Sequence, residues 1–188
     1  MVESKYTVES IGPRLDAFLT TVLRQAGFRL KFEIAAGHNP HPDFENPEVL
    51  AKFSGPDVEL LLANKGELLL ALEHVAMETL RMPPEDHTKL CFDANDYRVL
   101  RIEELRVSAL AAAEKVKRSG VPFRFGPMSS RERRIIHLAL RDEKQVRSES
   151  AGFGSHRQVV IYPAGMPSAP EPAGMAVPGR AERRPRRR

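Results

Sequence analysis

Residues 127–163 read PMSSRERRIIHLALRDEKQVRSESAGFGSHRQVVIYP. Pro127 punctuates the chain, and Ser129 with Glu132 forms an S-x-x-E capping box, the reciprocal pair that satisfies exposed backbone donors at a helix start. Ile135, Ile136, Ala139 and Leu140 then recur at helical spacing as an apolar stripe. Arg133 and His137 are four apart, so a helix projects both from one face, one turn from each other. Arg141, Ser130 and Lys144 extend that polar face. A guanidinium fork beside an imidazole suits contacts to phosphate, sugar and base. A merely solvated helix face carries the same pattern, so spacing alone leaves both readings open.

The order of the downstream segments narrows the choice. The helix is succeeded by Val146-x-Ser148-Glu149-Ser150-x-Gly152 and then by Arg157-Gln158-Val159-Val160-Ile161-Tyr162-Pro163. With the Arg-x-x-x-His pair, this set resembles the R-three-H domain, a small module that binds single-stranded nucleic acid. The two later segments look like the strand, loop and strand that come after the motif helix in bacterial members. Upstream, Asp93-Ala94-Asn95-Asp96-Tyr97-Arg98 and the long segment from Arg98 to Ser119 look like the joint from a KH domain into that module. Together they resemble the Jag family, bacterial proteins with a KH domain followed by R-three-H. The resemblance is clear over about residues 55–163 and fainter over 15–54, and the separate N-terminal Jag domain of many members has no counterpart in this sequence.

Charge agrees with a division into halves. Residues 1–96 hold 9 Lys/Arg against 16 Asp/Glu, residues 97–163 hold 14 against 7, and residues 164–188 hold 6 against 2. The overall +4 therefore conceals an acidic first half and a basic remainder, which places nucleic acid on the second half. No run of about 18 apolar residues occurs, so no membrane span is expected. The N-terminal residues lack the pattern of a signal peptide. One cysteine, Cys91, fits a reducing cytoplasm and reads as a buried, inert thiol in a strand.

The first half reads as a short leader over 1–13, a helix from Leu15 to Gly27, and an alternating strand from Phe28 to Ile34. A loop over Gly37 to Asn46 precedes a strand from Pro47 to Phe53. Val58 to Leu62 begins a helix, Ala63-Asn64-Lys65-Gly66 interrupts it, and Glu67 to Leu80 continues it until Pro83-Pro84. Lys89 to Asp93 supplies a third strand. The order helix, strand, strand, helix, loop, helix, strand resembles the type II KH fold, whose G-x-x-G loop grips nucleotide backbone. Here the second glycine, Gly66, is present and the first is alanine. Asn64, Lys65 and Gly66 are the candidate contacts. The acidic surroundings would repel RNA, so this half is either a weakened clamp or a protein-binding or dimerising surface.

The expected architecture is α+β: a leader (1–13), a type II KH-like domain (14–96), a linking helix with R-three-H domain (97–163), and a disordered Pro/Ala/Arg-rich tail (164–188). Under the resemblance, Arg133 holds phosphate and His137 stacks on a base or bonds a sugar. Arg157 either contacts phosphate or pairs with a carboxylate across the sheet, and Phe153 either stacks on a base or packs over its loop. His38, His41, Asp43 and Glu45 have ligand chemistry, but interleaved prolines make them a solvated loop in preference to a metal site. His74 is expected to be a partly buried structural histidine.

Six arginines within residues 180–188 make either an RNA-binding arm or a solubilising tail. No cofactor, metal or enzymatic constellation is expected. The expected partner is single-stranded RNA, with single-stranded DNA fitting the same contacts. A second small KH protein, or a second copy through the KH-like domain, is the expected protein partner. The resemblance further implies a regulator of cell elongation and division in the cytoplasm; the competing expectation is a protein adaptor.

Overall fold

The computed structural model describes residues 5–168. The chain divides into two compact units between Ala109 and Leu110, and each is described by itself.

The first unit opens with α1 (Val8–Gln25), which starts before the expected leader has ended. Thr7 is its N-cap and accepts from the Ser10 backbone at 3.1 Å, while the Thr7 amide donates to Ser10 Oγ at 2.8 Å. Pro13 lies inside this helix. It forfeits one backbone bond, and that loss is outweighed by burial of Ile11, Leu15, Leu19 and Leu23, which recur every four residues. Strands β1 (Lys31–Ala36) and β2 (Val49–Ser54) pair antiparallel, with Phe32 opposite Phe53. Strand β3 (Leu90–Ala94) runs parallel to β2, so a crossover is required. Helix α2 (Val58–Thr79) and a 3-10 turn, Pro84–Lys89, supply it. Leu15, Leu19, Leu61, Leu69, Leu90 and Phe92 form the fully buried centre. Cys91 is buried beside them, as its strand position suggests.

One polar cluster lies inside this unit. Arg98, in the first turn of α3 (Tyr97–Ser119), is buried and donates from Nε to the Phe92 carbonyl at 2.6 Å and from Nη1 to Glu45 at 3.0 Å. Nη2 pairs with Glu73, which also accepts from the Phe92 amide at 2.7 Å. Burial pulls the guanidinium down, but Glu73 first, and Glu45 after it, outweigh that and hold it above its ordinary value. The Gly37 to Asn46 loop is therefore not simply solvated: Glu45 is drawn inside by Arg98, and His41 reaches Glu103 at 3.1 Å. His74 departs from expectation in the other direction, being exposed.

The second unit contains the rest of α3, β4 (Phe123–Arg124), α4 (Ser130–Ala139), β5 (Val146–Ala151) and β6 (Gln158–Pro163). The sheet order is β4-β6-β5, and both pairings are antiparallel. Central β6 buries Val159, Val160, Ile161 and Tyr162, so both of its faces are covered. The two-residue β4 goes beyond the sequence expectation, since Phe123 and Arg124 carry no periodicity long enough to read. The β5–β6 connection turns at Gly152, whose φ of +88° and the His156 carbonyl, 2.8 Å from where a Cβ would sit, both require glycine.

Residues 164–168, assigned to the tail by composition, form a turn after β6. The Ala164 amide donates to the Gln145 carbonyl at 3.0 Å, and Arg147 donates to the Met166 carbonyl at 2.6 and 3.1 Å. The rest of the tail, with its arginines and its expected disorder, lies outside the described residues.

Candidate nucleic-acid interface

Helix α4 begins where its capping box places it. Ser129 Oγ accepts the Glu132 amide at 3.2 Å, and Glu132 Oε2 accepts the Ser129 amide at 2.8 Å. Ile135, Ile136 and Leu140 are buried, which fixes the helix rotation and turns Arg133 and His137 toward β5. There the strand's period of two puts Ser148 and Ser150 on the face toward the helix. Ser148 Oγ lies 2.7 Å from His137 Nδ1, Ser150 Oγ lies 3.1 Å from Nε2, and Arg133 Nη1 donates to Ser150 Oγ at 3.1 Å. Both serines belong to an expected strand, but no role was expected of either. Their signal is two hydroxyls alternating opposite an Arg-x-x-x-His helix, and only the packing of strand against helix shows that they meet it.

The site is electropositive. Burial first, and the neighbouring Arg157 charge second, lower the Arg133 guanidinium from its ordinary value. Burial first, and Arg133 second, lower the His137 imidazole, so it is neutral near pH 7. Arg157 itself is exposed, and among the described residues no carboxylate pairs with it. Arg133 Nε is buried with no hydrogen-bond partner among the described residues. An unpaired buried donor costs free energy.

The other expected residues separate. Ser130 is exposed in the first turn of α4. Phe153, between β5 and β6, is 64% exposed and so does not pack over its loop. Arg141 is not carried on the helix face, because α4 stops at Ala139; it sits exposed in the following turn, 3.8 Å from Asp142. Lys144 is also exposed beyond the helix.

Asn64, Lys65 and Gly66 lie in the first unit. Ala63 has φ −54° and ψ 151°, while the next three residues are left-handed, which breaks α2 as expected. Alanine therefore costs nothing at the position where the G-x-x-G pattern has its first glycine. Asn64 and Lys65 are exposed, but Gly66 is buried against Tyr97, whose ring would lie 2.9 Å from an added Cβ. Its lack of a side chain serves packing.

Residues 103–163 match the family model of the R-three-H domain. The chain is 32% identical over 114 residues to the RNA-binding protein KhpB of Clostridium symbiosum, covering 61% of this chain and 51% of that protein. It is 33% identical over 110 residues to KhpB of Bacillus subtilis, covering 57% and 53%. Against KhpB of Lactiplantibacillus plantarum it is 27% identical over 144 residues, covering 77% and 42%. The domain match and these relatives together support a likeness to the Jag-like R-three-H proteins. It spans about half the length of the curated relatives it matches. Among the described residues, no helix is long and apolar enough to cross a membrane.

Proposed function

We propose that this protein binds single-stranded RNA through the R-three-H unit, with Arg133 and Arg157 on phosphate and exposed Phe153 as a stacking surface. The observation that carries this reading is the Arg133 guanidinium: charged, beside a second cation, and bonded through Nη1 to one serine, with Nη2 uncommitted among the described residues. A guanidinium so placed fits phosphate oxygens. An exposed aromatic side chain in the same unit fits unpaired bases. The names of the KhpB relatives support RNA as the ligand.

Fluorescence anisotropy of a mixed-sequence single-stranded RNA, with the full chain at rising salt, tests this. Arg133→Ala should weaken binding to all sequences alike and flatten the log–log salt slope by about 0.7. An unchanged slope removes Arg133 from phosphate. Comparing RNA with DNA of the same sequence decides between those ligands.

The first unit supports a KH-like reading by its element order and its β1-β2-β3 sheet, in which β2 and β3 are parallel. One observation favours a protein-binding role for it over an RNA clamp: Gly66 is spent on Tyr97 and offers no open backbone approach. Lys65→Ala separates the two. A clamp would lose RNA affinity; a protein surface would not.

A further inference from the structure

Both ring nitrogens of His137 are engaged within the protein, Nδ1 with Ser148 and Nε2 with Ser150. A neutral imidazole has one donor and one acceptor nitrogen, so neither remains for a sugar hydroxyl or a phosphate. Arg133 differs. A guanidinium has five N–H donors, and among the described residues Arg133 commits one of its nitrogens, Nη1, to Ser150. Among the described residues, Ser150 Oγ is thus the one atom hydrogen-bonded to both members of the Arg-x-x-x-His pair.

The sheet register explains why two serines stand there. Ser148 is paired with Ile161 and Ser150 with Val159, residues of the buried central strand, so the serines lie on its core-facing rows where apolar side chains would be expected. Two residues along a strand span about 6.8 Å, enough for an imidazole to lie between their hydroxyls.

We infer, resting on the nucleic-acid reading above, that Arg133 alone of the pair contacts the strand, and that His137, Ser148 and Ser150 are positioning residues acting through it. The two serines hold the ring, and Ser150 passes that constraint to the guanidinium. An arginine free in solvent loses rotamer freedom when it closes on a phosphate; this clamp removes that freedom beforehand. His137 then contributes to affinity without touching the ligand, and neither a sugar bond nor a base stack is assigned to it.

A double-mutant cycle in the full chain, read by anisotropy with the same mixed-sequence RNA, tests the inference. Ser150→Ala alone should weaken binding about tenfold, the loss of one hydrogen bond to a charged group. Added to Arg133→Ala it should cost nothing more, and His137→Ala should behave alike. Additive losses would show independent contacts and overturn the inference. A second measurement needs no RNA: the His137 ring titration followed by NMR in the free protein. Ser150→Ala should raise the titration midpoint, because the ring gains solvent and the Arg133 charge moves off. An unmoved midpoint means that Ser150 holds nothing, which also overturns it. If the wild type shows no salt-dependent binding, the RNA reading fails, while the titration still decides whether the clamp exists.

Discussion

At His137 the imidazole is lowered from its ordinary value by burial and then by the Arg133 charge. A histidine depressed in the folded state binds fewer protons there than in the unfolded chain. Its stabilising contribution is complete above the unfolded value of about 6.5 and is lost as pH falls from there through the folded value. We expect thermal denaturation to show the R-three-H unit losing stability as pH falls below about 6.5, and His137→Gln to flatten that decline. An equal decline in both proteins would place the proton uptake elsewhere. The Arg133–His137 pairing is legible in the sequence because a helix period makes it so. The part played by Ser148 and Ser150 is not, because their partnership depends on how β5 is laid against α4.

Among the elements, α2 and α4 show how far local signals reach. The interruption at Ala63 to Gly66 can be read from composition, and so can the start of α4 from its capping box. The conformations divide the α2 loop unequally: Ala63 is in a region open to any residue, and Gly66 has φ +72° with Tyr97 against it. Gly66→Ala should therefore cost about 1–2 kcal/mol in urea denaturation. Ala63→Gly, which restores the G-x-x-G pattern, should cost less than about 1 kcal/mol, the unfolded-state entropy of glycine. Equal losses would mean that the ring does not pack on Gly66. Helix α1 starts earlier than expected because Pro13 imitates a boundary, whereas Thr7 and Ser10 carry the true N-cap.

Across the molecule, the surplus of basic residues falls in the second half and the tail, and the acidic surplus in the first. Removing residues 169–188, with six arginines and two glutamates, should lower RNA affinity and reduce the salt slope by about 0.7 for each phosphate these residues neutralise. Sequence preference should persist. If preference vanished with these residues, readout would belong to the tail. The cut belongs after Ser168 and not after Pro163, because Arg147 holds the Met166 carbonyl and Ser168 donates to Glu149 at 2.8 Å. Composition alone sets the end of order at Ala164, since Ala, Gly, Pro and Ser over a few residues carry no sign of a long-range partner.

Period, turn chemistry and charge count are properties of neighbours along the chain. They suffice for the α+β class, the motif helix with its cap, the strands on either side of the Gly152 loop, and the acidic-to-basic division. They do not suffice to bring Ser148 and Ser150 onto His137, to stand Arg157 beside Arg133, or to draw Glu45 and Glu73 inside around Arg98. Side-chain pairs hydrogen-bonded in these clusters lie from 11 to 53 positions apart. Which residues meet across such a span is set by strand register and helix rotation, and those are fixed by burying the apolar stripes of each unit at once.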